Sequence, residues 1–322
     1  MSDSRRRILV TGASSGLGRV VALRLAARGD DVTCFQRSAS RTGLGEVLGD
    51  VRDRAALARA SQGHDALIHC AALVAPRSAW SEAYAVNVTG TDNAQRAASS
   101  CGRFVHVSTP SVAFDERPAV GLTALEARYH GRDAYAHSKA VAERLVLTRR
   151  DVPTVVVRPH LVWGPGDTQL VGRIVSRARA GRLVLPDHGR ALIDSTYVDD
   201  AAAAVVAALD SAHEGSAACG RAWVVTGNDP RPVGELVHGI LRAAGLDGAL
   251  RSVPAPVAAL VGALSDRFWR GPEPPITHFA ARQLSLAHWF DQRDVHRVLH
   301  WTPRVSVDEG LARLTQWFAA PS

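Results

Sequence analysis

Short apolar runs alternate along the chain with longer stretches whose apolar residues recur at helical spacing, the pattern of repeated strand–helix–strand units around a parallel sheet. Strands are predicted at Arg7–Thr11, Asp31–Gln36, Ala66–Cys70, Phe104–Val107, Thr154–Arg158 and Trp223–Thr226. Helical stretches fall between them, at about Leu17–Ala27, Arg54–Ala60, Ser81–Ser100, Ala134–Arg149, Gln169–Ala180 and Asp199–Leu209. That order predicts an α/β fold: a doubly wound parallel sheet with a smaller C-terminal lobe. The region Pro230 to Ser322, punctuated by Pro254, Pro256, Pro272, Pro274 and Pro275, is expected to lie over the carboxyl ends of the strands, where ligands bind in such sheets.

With 322 residues and 46% apolar side chains the chain can fill a sizeable core, and it carries no internal repeat or low-complexity tract. The net charge of +7 comes from basic residues scattered singly rather than from a stripe interleaved with aromatics, which argues against nucleic acid as a partner. The same surplus suits a phosphate-bearing cofactor and an acidic substrate, and equally a solvated Arg-rich surface. Met1 to Arg7 is polar and leads straight into Ile8-Leu9-Val10, so no signal peptide is expected and the protein is read as cytoplasmic. The longest apolar stretch, Val253 to Leu264, is broken by prolines and falls short of the roughly 20 residues of a membrane span. It still suits contact with a membrane surface or an apolar substrate. Cys34, Cys70, Cys101 and Cys219 are far apart, and His64, His69, His106, His137 and His160 stand singly, so free thiols and no metal site are expected.

Thr11-Gly12-Ala13-Ser14-Ser15-Gly16-Leu17-Gly18 joins the first strand to the first helix. Glycines there let the backbone turn sharply and approach a pyrophosphate, whose charge then rests on the free N–H groups of the helix N-terminus, so the fold is read as Rossmann-type. A dinucleotide fold selective for NAD(H) usually ends its second strand on a carboxylate; here Gln36-Arg37 stands in that place. Arg37, with Arg41, favours NADP(H), although an exposed strand-end arginine with NAD(H) as the cofactor remains open. Residues 1–165 are then expected to form the NADP-binding Rossmann domain, with further sheet elements from about 190–228. Residues 166–322 are expected to form mainly the substrate-binding lobe, interleaved with the first unit. Asp50 and Val51 suit adenine by a hydrogen bond and a packing contact; the alternative for Asp50 is helix capping, which Asp53 fits better.

Tyr135 and Lys139, four apart in a helical stretch, share one face. A neighbouring ammonium favours phenolate, so Lys139 is expected to lower the Tyr135 pKa and let it pass a proton to or from a carbonyl oxygen; a surface pair is the alternative. Ser108 and Thr109 end the strand Phe104–Val107, where a hydroxyl can stabilise charge on that oxygen or merely cap the turn at Pro110.

Together these residues resemble the short-chain dehydrogenase/reductase superfamily in its extended branch, over nearly the whole chain. The resemblance includes Asn87-Val88-Thr89-Gly90-Thr91-Asp92-Asn93, Arg158-Pro159 through Val162-Trp163-Gly164-Pro165-Gly166-Asp167, Tyr197-Val198-Asp199-Asp200 and the closing Leu299-His300-Trp301-Thr302-Pro303-Arg304-Val305-Ser306. It implies Tyr135 as acid/base, Lys139 on the nicotinamide ribose, Thr109 as the catalytic hydroxyl with Ser108 beside it, and Asn87 supporting the adjoining helix. It also implies Pro159, His160 and Leu161 beside the nicotinamide, Ala71 and Ala72 on the adenine-ribose side, and a homodimer through the helices around Asn87 and Tyr135, with a multienzyme assembly left open. One departure is that Gly12, Gly16 and Gly18 follow the TGxxxGxG spacing of the shorter branch rather than TGxxGxxG, which bears on the phosphate geometry.

Within the branch, Val107 to Val112, Trp163 to Asp167 and Ile193-Asp194-Ser195-Thr196-Tyr197 are most similar to the 3β-hydroxysteroid dehydrogenase-like group, above all to bacterial 2-alkyl-3-oxoalkanoate reductases of olefin biosynthesis. That implies NADPH-dependent reduction of a β-keto acid, an apolar small molecule with a ketone. Sugar-nucleotide epimerases and dehydratases generally carry Arg-Asp where this chain has Ile193-Asp194, and Val257–Leu264, Phe268 and Trp269 suit an acyl chain or fused rings, or are simply core. A non-catalytic NADP-sensing scaffold is the alternative of another class; such proteins typically lose the Tyr or the Lys.

Overall fold

A computed structural model describes residues 5–14, 16–74, 78–125, 127–128, 133–246, 250–271 and 274–320, so Ser15 and Pro272 lie outside the described residues. Seven strands form the main sheet: β1 Arg7–Thr11, β2 Asp31–Gln36, β3 Gly45–Leu48, β4 Ala66–His69, β5 Phe104–Val107, β6 Thr154–Pro159 and β7 Ala222–Val225. They are all parallel, in the order β7-β6-β5-β4-β1-β2-β3. The chain winds outward in both directions from β1 and β4, where Thr11 is level with His69, so the crevice of this doubly wound sheet opens above those two strands.

Both faces of the sheet are apolar, as a sheet covered on both sides requires. Ile8, Val10, Cys34, Ile68, Val105 and Val157 point to one face, under helices α1 (Gly16–Ala27) and Val198–Asp210. Leu9, Phe35, Leu67, Phe104 and Val156 point to the other, under Arg54–Ser61 and Gly90–Ala98. The strand Gly45–Leu48 is not among the strands predicted by range. All four of its residues are exposed, so it lacks the burial pattern that marks a strand, and pairing with β2 makes it one. The expected helix Ser81–Ser100 is divided into an α turn at Trp80–Ala83, a π turn at Tyr84–Thr89 and the α-helix Gly90–Ala98.

A second sheet joins Arg231–Pro232, Leu192–Ile193, His288–Phe290 and Ala119–Leu122 in that order. Its last strand comes from the first half of the chain. Two motifs separated by a hundred residues meet below it: the buried Asp200 carboxylate accepts from the backbone N–H groups of Arg304 at 3.0 Å and Val305 at 2.9 Å. Asp167 likewise stops the Trp163-Gly164-Pro165-Gly166 turn by accepting from Gln169, Leu170 and Val171, opening the helix Val171–Arg179.

In and just after the helix Ala255–Phe268, Val257, Leu260, Val261, Leu264, Phe268 and Trp269 are exposed rather than forming core. Among the described residues no helix is long and apolar enough to cross a membrane.

Candidate active site

The chain leaves β1 through Gly12 at φ +77° and enters α1 through Gly16 at φ +55°, conformations that side chains with a Cβ rarely adopt. A Cβ on Gly12 would lie 2.7 Å from the Ala71 backbone, and one on Gly18 would collide with the Gly12 carbonyl. Gly16 has open space around it, so its glycine serves the turn alone. Ser14 is exposed and Leu17 half-buried. The described part of the turn thus brings the Gly12 backbone close against Ala71.

Thr11 ties this turn to the rest of the site. Its hydroxyl accepts from Ala71 N at 3.3 Å and lies 2.8 Å from His69 Nδ1. His69 Nε2 is 3.1 Å from the Thr91 hydroxyl, whose own proton goes to the Asn87 carbonyl at 2.6 Å. The consistent assignment has Thr11 donating to Nδ1 and Nε2–H donating to Thr91, a neutral ring; burial holds His69 down at about 3. In sequence His69 is a single strand histidine, and the fold places it between two hydroxyls.

Past β2, Arg37 is exposed, and Arg19 donates to the Ser40 and Arg41 carbonyls at 2.5 and 3.2 Å. Glu46 of β3 accepts from Gln36 Nε2 at 2.7 Å and from Ser40 N at 2.6 Å. Asp50 is held by Arg52, which keeps its carboxyl below the usual range. Asp53, not Asp50, caps the helix Arg54–Ser61, accepting from Ala56 N at 3.0 Å. The Val51 side chain is 7% exposed and packs against Gly90, where a Cβ would come within 2.7 Å of it.

Helix α2 of the site, Ala134–Thr148, starts from Asp133, which accepts from Ala136 N at 2.8 Å. Tyr135 stands in its first turn, and the Thr109 hydroxyl past the end of β5 donates to Ser111 Oγ at 3.3 Å. Burial pushes the Tyr135 hydroxyl up to about 12, Asp133 adds to the rise, and Thr109 opposes it. The expected lowering by Lys139 is not present in this arrangement. Lys139 is 2% exposed and turns away toward the sheet, donating to the Val107 carbonyl at 2.6 Å with His106 Nε2 at 3.3 Å. A buried ammonium takes the nearest carbonyl, and sharing a helix face does not bring its charge to the phenol. The Ser108 hydroxyl is buried without a partner.

Asn87, inside the π turn, accepts from Leu73 N at 2.7 Å and donates to Leu73 O at 3.1 Å and to Ser138 Oγ at 2.9 Å. Ser138 in turn donates to the Tyr135 carbonyl at 2.9 Å. One hydrogen-bonded web therefore runs from the glycine turn to the helix that carries Tyr135. A π turn is a common device at such sites, because the extra residue aims a side chain that a regular helix would carry elsewhere.

Burial lowers Lys139 to about 8, with the Glu143 carboxylate opposing the fall. A lysine depressed on folding costs stability while the folded form must hold the proton, and that cost fades as pH rises from about 8 toward the ordinary value of about 10.4. The stability difference between Lys139→Met and the unsubstituted protein, measured without cofactor, is therefore expected to move in favour of lysine across that window. Thermal midpoints at stepped pH check the slope, and parallel curves would contradict it.

At the end of β6, Pro159 is buried and His160 N donates to Val225 O at 3.1 Å. The His160 ring meets His288 at 4.8 Å and Phe290 at 5.3 Å between centroids, both edge-on. Leu161 takes φ +42°. A cavity of about 230 Å³ lies here, with Pro110, Phe114, Leu122, His160, His288 and Phe290 in its wall. His288 and Phe290 carry no sequence signal, since they reach the site through the second sheet from well over a hundred residues away.

The family model for the NAD dependent epimerase/dehydratase family matches residues 8–225. A 2-alkyl-3-oxoalkanoate reductase from Stenotrophomonas maltophilia is 39% identical over 331 residues, covering 98% of this chain and 100% of that protein. A ketoreductase from Stigmatella aurantiaca, named for 4-hydroxy-2-methyl-3-oxo-4-farnesyl-3,4-dihydroquinoline-1-oxide, is 30% identical over 325 residues, covering 96% of each. Among solved structures, the UDP-glucose 4-epimerase of Thermotoga maritima with UDP-glucose superposes with a TM-score of 0.76 at 19% identity, covering 97% of this chain and 98% of that one, a likeness of fold. The chain belongs to the NAD dependent epimerase/dehydratase family, among the extended short-chain dehydrogenases/reductases, and is an NAD(P)-dependent enzyme of that oxidoreductase and epimerase class.

Proposed function

We propose that the protein reduces a 2-alkyl-3-oxoalkanoic acid to the corresponding 3-hydroxy acid with NADPH. The observation that carries this reading is Tyr135 at the start of a helix anchored through Ser138 to Asn87, in a chain 39% identical to a protein named for that reaction. Thr11, Gly12, Ser14, Gly16, Leu17 and Gly18 would hold the pyrophosphate, with Ser15 in the same turn outside the described residues. Asp50, Val51, Ala71 and Ala72 would border the adenosine half, and Pro159, His160 and Leu161 the nicotinamide. When bound, the reduced nicotinamide supplies the hydride.

The protein's own part is to hold the ketone and deliver a proton. Thr109 and Tyr135 both donate to the ketone oxygen, and Ser108 stands beside them. A phenol pushed up to about 12 keeps its proton at neutral pH, which suits an acid that protonates an oxygen gaining negative charge, the reductive direction. Lys139 keeps a positive charge under the site and Asn87 fixes the Tyr135 helix. The lobe formed mainly by residues 166–322 would supply the substrate's apolar surroundings.

The sugar-nucleotide reading lacks its clamp: Ile193, 3% exposed, stands where such enzymes carry arginine. Oxidation of NADPH and NADH is to be followed with 2-alkyl-3-oxo acids, their esters, 3-ketosteroids and UDP-sugars. Turnover of the oxo acids with NADPH is expected; turnover of UDP-sugars alone would overturn the reading. For the cofactor, Arg37→Ala is expected to raise KM for NADPH by about tenfold, the worth of one charge-assisted hydrogen bond, and to leave KM for NADH unchanged.

A further inference from the structure

We propose that the helix Ala255–Phe268, with Trp269 and Arg270 after it, is a docking surface for an anionic lipid bilayer. The helix is built the reverse of a core helix. Its small residues Ala258, Gly262 and Ser265 face inward, and a Cβ on Gly262 would come within 2.6 Å of His278 N in the neighbouring helix His278–Ser285. Its large residues Val257, Leu260, Val261, Leu264 and Phe268 recur at i, i+3, i+4, i+7 and i+11 on the outward side, and together with Trp269 they are 39% to 63% exposed. A contiguous apolar stripe held rigidly outward is a contact surface.

Charge selects the occupant. Asp266 is the one acidic residue between Pro254 and Gly271, and its exposed carboxylate already accepts from His278 N at 3.1 Å. Arg267, with its guanidinium 5.5 Å over the Phe268 ring, and Arg270 are exposed beside the stripe and outnumber the exposed Asp266. A second copy related by twofold symmetry would set these arginines against themselves, with only Asp266, already bonded to His278 N, to meet two of them. Lipid phosphates meet them, and Trp and Phe beside arginine suit the boundary between headgroups and acyl chains.

The neighbouring helix His278–Ser285 links this surface to the candidate site: its Phe279 ring meets Phe114, in the cavity wall, at 5.5 Å between centroids. An apolar oxo acid dissolved in a bilayer would reach the mouth without crossing water. That advantage rests on the substrate reading above; lipid binding itself does not.

The test is co-sedimentation of the full chain with vesicles of phosphatidylcholine alone or mixed with phosphatidylglycerol. Binding to the mixed vesicles is expected, weakened by salt and reduced by at least about tenfold in Leu260→Glu/Leu264→Glu and in Arg267→Glu/Arg270→Glu. Reduction of a short, water-soluble oxo acid should be unchanged in both variants, which separates a failure of this inference from a failure of the substrate reading. Absence of vesicle binding by the folded protein would overturn the inference. So would binding that survives both pairs of substitutions, or a dimer in sedimentation that the Leu260→Glu/Leu264→Glu variant splits.

Discussion

Tyr135→Phe is expected to lower kcat by about 10²–10⁴ and to leave the dissociation constant for NADPH nearly unchanged. The ring would remain at the start of its helix, and only the proton donor would be lost. Thr109 alone can still donate to the ketone oxygen, so some turnover should persist. Steady-state kinetics beside a cofactor titration separates the two effects. Undiminished turnover would remove the proton-transfer role; lost cofactor affinity would move Tyr135 from chemistry to binding.

The second large effect concerns stability. Arg158 of β6 and Glu143 of the Tyr135 helix form a two-point ion pair whose side chains are 2% and 0% exposed, with Nε donating to Oε2 at 2.9 Å and a second bond from Nη2 to Oε1. Arg158 also donates to the Leu125 carbonyl at 2.7 Å. Removing one partner strands the other charge where water cannot reach it, a loss of about 3–5 kcal/mol. Glu143→Leu and Arg158→Met singly are expected to lose that much in urea unfolding, whereas the double replacement should recover a large part, because neither charge is then buried. A double variant no better than the singles would mean that the pair itself stabilises the sheet. Glu143→Leu also removes the one carboxylate that opposes the fall of Lys139, so the lysine should lose its proton at lower pH in that variant.

The central strands were legible because each is buried on both faces. Arg7–Thr11, Asp31–Gln36 and Phe104–Val107 run between the residues that apolarity alone marks. Gly45–Leu48 was not, since its identity comes from a neighbour rather than from its own side chains. Periodicity also passed over the π turn around Asn87: one inserted residue rotates the register without changing the mean apolar spacing. In the site, Gly12 and Gly18 were legible because close backbone approach excludes every other residue there. The partner of Lys139 was not, because Val107 offers its main-chain carbonyl, which any residue carries. Spacing gave the shared face of Tyr135 and Lys139 but not the direction in which a long flexible amine would turn.

The strand Ala119–Leu122, lent by the first half of the chain to the sheet completed by His288–Phe290, limits how this protein can be taken apart. A fragment ending near residue 165 would keep that strand and lose its hydrogen-bonding mate, leaving an open edge for other chains to add to. Chimaeras that exchange the C-terminal portion between relatives would have to carry residues 119–122 along with it, a segment that sits, in sequence, between Thr109 and Tyr135.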